Sequence, residues 1–229
     1  IVLTNARGIQ EQMSDQVFAF MLAFVRRLNV FIRFQLQKKW ERPMCEELTG
    51  KVLGIVGLGN IGIGVAKKAK SFGMTVIATK RSMTEKPTFV DDLLASGNLP
   101  DLLQRSDFVL VTVPLTPETH HIIGEEELRV MKRDAILINV GRGELVDEEA
   151  LVRALKEKWI GGAGLDVFET EPLPIESQLW DMENVIITPH MGGTTPNYQK
   201  RVFGLFMENL RRFIKGESLA NVVDKKVGY

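Results

Sequence analysis

One short stretch limits the possible folds of this chain more than any other. Between residues 51 and 82, an apolar segment precedes the run Gly57-Leu58-Gly59-Asn60-Ile61-Gly62, and a helical pattern and a second apolar segment follow. In a strand–turn–helix of this kind, the glycines serve a tight turn, close approach of the backbone to a pyrophosphate, and close helix–strand packing. The helix that opens near Asn60 would direct its N-terminal N–H groups and its dipole at the phosphates. The stretch therefore predicts a nicotinamide nucleotide site; the alternative is a turn that binds nothing.

Composition and charge narrow the classes of protein to which the chain can belong. Its 229 residues, 45% of them hydrophobic, can bury a substantial core in one or two domains. A formal net charge of zero gives no electrostatic reason to expect nucleic acid or an anionic membrane surface as a partner. The longest apolar run, residues 17–25, is well short of the ~20 residues that a membrane-spanning helix needs. The single Cys45 rules out an internal disulfide and suits a reducing cytoplasm, where we expect the protein; we expect no metal site.

Apolar segments alternate with helical patterns along most of the chain. Such alternation is typical of a parallel sheet covered by helices on both faces, that is, a doubly wound α/β fold of the Rossmann type. The predicted strands are residues 52–56, 75–79, 108–113, 135–139, 163–167 and 185–188. The predicted helices between them are residues 61–72, 99–104, 125–131 and 148–158.

Two longer helices are predicted to flank this domain. The first covers residues 14–37, begins with Ser14 as its N-cap and is apolar around much of its circumference. So apolar a helix needs a covering surface, which predicts packing across the interface of a homodimer or against a second lobe; ordinary core packing is the alternative. The second helix covers residues 195–215 and ends at Gly216.

Polar residues that could support catalysis follow directly after several predicted strands. Because ligands of an open α/β sheet bind beyond the carboxyl ends of its strands, these residues should line one edge of the sheet. The third strand is followed by residues 114–119, the fourth by 140–143, the fifth by 166–172 and the sixth by 189–193. An arginine, carboxylates and a histidine thereby meet at the edge that would face the nicotinamide.

Hydride transfer between a nicotinamide and a 2-keto or 2-hydroxy acid needs three functions from the protein. A guanidinium, here Arg142, can hold the substrate carboxylate and polarise the carbonyl. A histidine, here His190, can move the hydroxyl proton, and a neighbouring carboxylate would fix its tautomer and keep it protonated. Glu171 can be that carboxylate, although spacing alone does not separate it from Glu169. Taken singly, Arg142 could also be a solvated cation of its loop and His190 a structural histidine.

The end of the second strand bears on which nicotinamide nucleotide binds. NAD-binding domains usually place an acidic residue ~20 residues after the glycines, where it bonds the ribose 2′-hydroxyl. This chain has Lys80, Arg81 and Ser82 there instead, a set that suits a 2′-phosphate. We therefore predict a preference for NADP(H), with Arg81 the stronger candidate; the alternative is a solvated basic corner that tolerates either NADP(H) or NAD(H).

Five motifs, in order along the chain, resemble those of the D-isomer-specific 2-hydroxyacid dehydrogenase family. They are GLGNIG at residues 57–62, VPLTPET at 113–119, NVGRG at 139–143, DVFETEP at 166–172 and TPH at 188–190. The resemblance extends from about residue 12 to residue 223. It implies that Arg142, Glu171 and His190 are catalytic and that Asp166 holds the nicotinamide carboxamide. It also implies reduction of a small 2-keto acid of the glyoxylate or hydroxypyruvate type.

The same resemblance indicates how the chain divides. Family members carry an N-terminal substrate lobe, to which residues 1–11 and 195–229 would connect, whereas residues 12–194 would form the dinucleotide-binding domain. The residues that select the substrate side chain would then be mostly absent from this chain. A cofactor-sensing binding protein, like the transcriptional corepressors that resemble this family, is the alternative function. The predicted cofactor-binding residues are Gly57, Gly59, Asn60, Ile61, Gly62, Lys80, Arg81, Ser82, Val113, Pro114, Thr119, Val140, Gly141, Arg142, Asp166, His190, Gly192 and Gly193.

Overall fold

A seven-stranded, fully parallel β-sheet forms the centre of the structure, a computed structural model that describes residues 1–5, 10–82, 85–223 and 225. Its strands, numbered along the chain, are β1 (Val52–Val56), β2 (Thr75–Lys80), β3 (Asp92–Ala95), β4 (Phe108–Val111), β5 (Ile136–Asn139), β6 (Gly162–Leu165) and β7 (Val185–Ile187). Across the sheet they follow the order β3-β2-β1-β4-β5-β6-β7, and every neighbouring pair is parallel. The prediction of a doubly wound α/β fold is confirmed.

Helices cover both faces of this sheet, and each face has its own apolar core. The helices of the described residues are α1 (Gln10–Val25), α2 (Leu28–Leu36), α3 (Asn60–Ser71), α4 (Leu99–Arg105), α5 (Glu125–Val130), α6 (Glu148–Lys156) and α7 (Tyr198–Ile214), of which α2 and α7 contribute to neither core. The helices α1 and α3 supply one core, in which Met21 and Val65 are fully buried. The helices α4, α5 and α6 supply the other, around Leu102 and Leu128. Strands β4, β5 and β6 are buried on both faces, as a parallel sheet between two helical layers requires.

The strand order reverses between β1 and β4, and this point determines where a ligand can bind. The sheet extends from β1 through β2 and β3 to one side and from β4 through β7 to the other. The connections after β1 and β4 consequently leave on opposite faces and open a crevice at the carboxyl ends of the strands. The glycine run follows β1 immediately and therefore lies at this crevice.

The short edge strand β3 is one element that the sequence analysis missed. It pairs in parallel with β2, with Leu93 opposite Ala78. Of its four residues, all but Asp92 are apolar. Four residues are too few to show a two-residue period, which explains why no pattern was visible. The other strands, and the four helices predicted between them, end within two residues of the predicted bounds.

The long helix predicted over residues 14–37 is wrong in its extent, because the structure has two helices there. The backbone at Arg27 adopts the left-handed conformation, with a φ of 51°, and separates α1 from α2. Ser14 is not an N-cap, since α1 begins at Gln10 and Ser14 is fully buried within it. α1 packs into the core of the domain, which was the alternative to an interface, whereas α2 contains no buried residue.

The two ends of the described chain lie side by side. Thr4 and Val222 form an antiparallel bridge, and the Val223 N–H donates to the Leu3 carbonyl at 2.8 Å. The helix α7, which precedes this pairing, begins three residues later than predicted. It stops shortly before Gly216, whose φ of 70° suits the end of a helix.

α1 crosses the sheet so closely that a glycine is required in β6. A Cβ atom at Gly164 would lie 2.7 Å from Cγ of the Phe20 ring, well inside van der Waals contact. The Phe20 side chain is 2% exposed and is packed on all sides, so it cannot easily withdraw. The small residues of β6 are therefore what allows α1 to approach this face of the sheet.

Gly164→Ala should destabilise the fold by about 1–3 kcal/mol, because the added methyl group overpacks the contact with Phe20. Urea unfolding followed by circular dichroism measures this change. The matched control is Gly204→Ala in α7, where a Cβ has no neighbour within 4 Å. There alanine should favour the helix by roughly 0.5–1 kcal/mol. Equal stability of Gly164→Ala and the wild type would contradict the close contact.

Candidate active site

The glycine run after β1 has the geometry of a loop that admits a phosphate. Gly57 has a φ of 99°, and a Cβ there would lie 2.6 Å from Cγ1 of Val113. At Gly62 a Cβ would lie 2.7 Å from the Gly57 carbonyl oxygen, so this glycine lets α3 pack closely against the loop. Gly59 differs, because a Cβ there would have no neighbour within 4 Å. The open side of Gly59, at the N-cap of α3, is where a pyrophosphate can approach the positive end of the helix.

Residues of the neighbouring strands hold this loop in place. At the end of β2, the Thr79 hydroxyl accepts from the Gly57 N–H at 3.3 Å, and the Thr79 carbonyl accepts from the Leu58 N–H at 3.0 Å. Thr112, just after β4, donates its hydroxyl to the Gly57 carbonyl at 2.8 Å. Hydrogen bonds with β2 on one side and with the residue after β4 on the other therefore hold the glycine loop in place.

A cleft of about 900 Å³ extends from the glycine loop along the carboxyl ends of the strands. Its lining includes eleven of the predicted site residues: Gly59, Asn60, Ile61, Val113, Pro114, Val140, Gly141, Arg142, Asp166, His190 and Gly193. It also includes five residues that the sequence analysis did not select: Met13, Thr112, Leu115, Thr194 and Tyr198. Met13 and Tyr198 belong to α1 and α7, so the rule about strand ends could not have found them. Thr112 and Leu115 adjoin selected positions and could have been included on that ground.

Thr119 and Gly192 were predicted to bind the cofactor; the structure shows contacts of both within the protein, and cofactor binding by them stays a prediction. The Thr119 hydroxyl donates to the Pro114 carbonyl at 2.7 Å and accepts from the Thr116 N–H at 2.8 Å, which folds the loop after β4. Gly192 is buried, and a Cβ there would lie 2.9 Å from Oδ2 of Asp166. Neither residue lines the cleft, because each packs inward to shape the loop that carries its neighbours.

Arg142 is held at the cleft by a loop that a buried asparagine organises. Asn139, 1% exposed at the end of β5, accepts from the Gly141 N–H at 3.1 Å and donates to the Arg142 carbonyl at 2.8 Å. A Cβ at Gly143 would overlap the Phe168 backbone, at 1.9 Å, so the loops after β5 and β6 lie backbone to backbone. The exposed guanidinium of Arg142, which donates to the Gly141 carbonyl at 2.7 Å, extends from this fixed main chain.

His190 and Glu171 are in direct contact at the edge of the cleft. His190 Nδ1 lies 2.7 Å from Oε2 of Glu171, and Oε1 of the same carboxylate accepts from the Phe168 N–H at 3.1 Å. Burial alone would raise the pKa of Glu171, but these hydrogen bonds and the nearby charges of His190 and Arg142 outweigh it and hold that pKa below its usual value. An ionised carboxylate can only accept, so Nδ1 carries the proton of this hydrogen bond. The Nε2 atom is then the one that can exchange a proton with a ligand.

Glu169, the other acidic residue of this loop, has a different partner. Its Oε1 lies 2.8 Å from Nε2 of His121 and accepts from the Glu148 N–H at 3.3 Å. Burial, and to a smaller extent the charge of Glu169, raises the pKa of Glu148 although the Glu169 N–H donates to that carboxylate. The structure thus pairs His190 with Glu171 and not with Glu169, a choice that spacing in the sequence left open.

Asp166 lies beneath the His190 loop and organises its backbone. The residue is 1% exposed, and its carboxylate accepts from the Met191 N–H at 2.9 Å, from the Gly192 N–H at 2.8 Å and from the Thr188 hydroxyl. Two successive N–H groups directed at one anion form a nest, and His190 sits at this turn in the left-handed region, with a φ of 55°. A bond from Asp166 to the nicotinamide carboxamide stays a prediction beside this structural role.

Arg81, one of the basic residues at the end of β2, interacts electrostatically with an acidic residue. Lys80 is half-buried at the end of β2, and Arg81 and Ser82 are exposed. Glu118, in the loop after β4, is exposed, and its pKa is held below its usual value by a hydrogen bond with Thr116 and, to a smaller extent, by the charge of Arg81. Arg81 is therefore within electrostatic reach of a carboxylate that the sequence analysis did not connect with it.

Two further features concern membranes and metals. Among the described residues, none of the helices combines the length and the apolar character needed to cross a lipid bilayer. The same part of the chain holds no group of three or more His, Cys, Asp or Glu side chains that could bind a metal ion.

Comparison with known proteins places this cleft in a family. The model for the NAD binding domain of D-isomer specific 2-hydroxyacid dehydrogenases matches residues 18–192. A glyoxylate reductase from Korarchaeum cryptofilum is 43% identical, over 99% of this chain and 70% of that protein. A D-isomer specific 2-hydroxyacid dehydrogenase from Xanthobacter autotrophicus, solved with NADPH and MES, has a TM-score of 0.90 at 34% identity, over 100% of this chain and 94% of that one. An NADPH-dependent glyoxylate/hydroxypyruvate reductase from Sinorhizobium meliloti, solved with NADP and sulfate, has a TM-score of 0.90 at 31% identity, over 100% of this chain and 73% of that one.

These similarities confirm the family that the five motifs indicated. The family model covers most of the chain, and the sequence and fold of the relatives match it over almost its whole length. The chain belongs to the D-isomer specific 2-hydroxyacid dehydrogenases, and it is an NAD(P)-dependent enzyme of that family.

Proposed function

We propose that this dehydrogenase transfers a hydride between its nicotinamide cofactor and a small 2-keto or D-2-hydroxy acid of the glyoxylate or hydroxypyruvate type. The observation that carries the proposal is one cleft in which Arg142 and His190, the latter paired with Glu171, lie beyond the glycine loop. The names of the relatives, glyoxylate reductase and glyoxylate/hydroxypyruvate reductase, support the same substrate class.

Arg142 suits the carboxylate of such a substrate. A guanidinium offers parallel N–H groups in one plane and can bind a carboxylate through two charge-assisted hydrogen bonds. Because Asn139 fixes the main chain on both sides of Gly141, the substrate acid would be held in one position along the cleft. Its keto group would then lie between Arg142 and His190.

His190 suits the proton transfer that accompanies reduction of the keto group. Because Glu171 occupies Nδ1, the Nε2 atom would give its proton to the carbonyl oxygen during reduction and take one back during oxidation. The ionised Glu171 would stabilise the positive charge of the ring before the proton leaves. The bound nicotinamide supplies or accepts the hydride.

Arg142→Ala and His190→Ala should each lower kcat/KM for glyoxylate by about 10²-fold or more. The first variant loses charge-assisted bonds to the substrate, and the second loses the acid–base group. Steady-state assays with NADPH and with NADH measure this effect. Arg153→Ala and His121→Asn are matched controls, since these side chains contact carboxylates outside the cleft, and both should stay within about threefold of the wild type. Wild-type rates in both cleft variants would contradict the proposed function.

Glu171→Gln should lower kcat by about 10-fold or more, because a neutral amide cannot stabilise the imidazolium of His190. Glu169→Gln should leave kcat unchanged.

The pKa of Glu171 is lowered in the folded protein, so its contribution to stability is present above the usual value of 4.5 and is lost as the pH falls through the folded value. The difference in thermal stability between the wild type and Glu171→Gln should therefore be largest near neutral pH and shrink below about pH 4.5. A difference that grows toward acid pH would overturn this role of Glu171.

NADP(H) is the cofactor form that we propose as preferred. Lys80, Arg81 and Ser82 offer two cations and a hydroxyl where an acidic residue would bond the 2′-hydroxyl of NAD(H). Solved relatives bound to NADPH and to NADP support this assignment. Glu118 works against it, since its charge offsets part of the charge of Arg81.

Arg81→Ala should raise the Kd of NADPH by about 10-fold or more while changing that of NADH by less than about threefold, because only NADPH carries the 2′-phosphate. Glu118→Gln should shift the preference the other way, toward NADPH. Titration followed by energy transfer from the tryptophans measures both nucleotides. Arg133→Ala is the control, because Arg133 lies just before β5, at the amino-terminal ends of the strands and away from the cleft. Equal loss for the two nucleotides would refute the preference and leave the reductase proposal intact.

A homodimer also forms part of the proposal. Leu28, Ile32 and Leu36 lie one turn apart on α2 and are all exposed, and Trp40 and Met44 in the following segment are exposed as well. An apolar stripe of this kind is typical of a surface that another protein covers.

A cytoplasmic location, expected from the single reduced Cys45, stays a prediction.

Light scattering at about micromolar concentration should give twice the mass of the chain for the wild type. The double variant Ile32→Glu, Leu36→Glu should give the mass of a single chain, because burying two charges in an apolar interface costs desolvation energy. Phe203→Glu with Phe206→Glu is the matched control, placing two charges on exposed positions of α7. A monomeric wild type would refute the dimer, and dissociation by the α7 variant alone would move the interface to α7.

A further inference from the structure

A glutamine of α1 reaches the loop that carries His190. Gln16 is half-buried, and its Nε2 donates to the Thr188 hydroxyl oxygen at 3.0 Å. Its stem lies against the same loop, since Cγ of Gln16 would be 3.2 Å from a Cβ at Gly192. None of the five motifs includes this residue, and it does not line the cleft. Gln16 therefore contacts the loop of His190 from the side of α1 and not from within the cleft.

The directions of these hydrogen bonds are determined by the chemistry of the groups. Thr188 donates its single hydroxyl proton to Oδ1 of Asp166, which as a carboxylate can only accept. The Thr188 oxygen is therefore left as an acceptor toward Gln16, and the amide must present its NH2 group. The chain of donors runs one way, from Gln16 through Thr188 to Asp166.

Asp166 passes this constraint to the backbone of His190. Its carboxylate holds the N–H groups of Met191 and Gly192, and its carbonyl accepts from the His190 N–H at 2.8 Å. His190 is held by these bonds in the left-handed region, which non-glycine residues seldom adopt without support from their surroundings. The direction of the imidazole toward Glu171 depends on that backbone conformation.

We propose that Gln16 is a positioning residue, which acts through Thr188 and Asp166 to hold His190 in register with Glu171. The proposal rests on the proposed function for the part His190 plays in turnover, but the geometry it describes can be measured without turnover. Glu171 contacts His190 directly and Asp166 lies beneath its loop, whereas the hydrogen bond of Gln16 goes to Thr188. Its effect must consequently pass through the loop.

Three variants separate this role from simple attachment of α1. Gln16→Met keeps the length and the packing against Gly192 but removes the donor. Gln16→Glu keeps the shape and places an acceptor against the Thr188 oxygen and near Asp166. Asp15→Asn is the matched control, because Asp15 is the adjacent residue of α1 and points away, to Lys68 at 2.5 Å.

Gln16→Met should lower kcat for glyoxylate by about three- to tenfold, the factor to which the net contribution of one hydrogen bond corresponds. Its KM for glyoxylate should change by less than about twofold, because Arg142 is untouched. Gln16→Glu should lose more, since two acceptors face each other. Asp15→Asn should stay within about twofold of the wild type, because its ion pair is exposed. Equal kcat for Gln16→Met and Asp15→Asn would overturn the proposal.

A spectroscopic measurement decides the question independently of activity. The proton shared by His190 Nδ1 and Glu171 should give a downfield 1H NMR resonance, assigned by its loss in His190→Asn. Gln16→Met and Gln16→Glu should shift or broaden it, while Asp15→Asn should leave it unchanged. If the wild type reduces no 2-keto acid but the resonance responds in this way, the proposed function fails and the positioning role stands. An unchanged resonance in both Gln16 variants, with thermal unfolding showing that they are folded, would refute the positioning role.

Discussion

The parallel alignment of β1, β4, β5 and β6 is the constraint on which the active site depends. Neighbouring parallel strands run in the same direction, so the segments that follow them all emerge at one edge of the sheet. The glycine run follows β1, Arg142 follows β5 and Asp166 follows β6, and all of them reach a single cleft. An antiparallel neighbour would send one of these segments to the opposite edge. The chemistry of the site therefore depends first on the direction of the strands.

Close backbone approaches then set the dimensions of the cleft. Gly57 lies against Val113, and Gly143 lies against the backbone of Phe168, at distances that leave no room for a Cβ. Each contact joins two of the segments that emerge at the same edge. At Gly143 backbone rests on backbone, whereas Gly57 packs against both Cγ1 and the backbone nitrogen of Val113. These two contacts consequently fix the glycine loop against the segment after β4, and the loop of Arg142 against the loop after β6.

Much of this site could be predicted from sequence because the rule about strand ends needs only the order of elements along the chain. That rule selected Gly59, Arg142 and His190 as cleft residues, and all three line it. It could not choose between Glu169 and Glu171, since both follow the same strand and the choice depends on how the loop turns after Phe168. The break at Arg27 was hidden for a related reason. The apolar pattern continues through it, and a change in one φ angle leaves no trace in that pattern.

The role of α1 shows why stability and site geometry cannot be separated in this fold. One face of this helix brings Phe20 against Gly164, Met13 to the cleft and Gln16 to Thr188. The packing of Phe20 sets how closely the helix approaches the sheet, and that distance decides whether the amide of Gln16 is within hydrogen-bonding reach. The hydrogen bond from Gln16 to Thr188 spans 3.0 Å, and N–H···O bonds form within about 3.2 Å, so a shift of α1 by a few tenths of an ångström would take the amide out of that range. The apolar contacts of the core lose only part of their dispersion energy over such a shift. A change in the apolar core beneath α1 should therefore affect the loop of His190 before it unfolds the domain.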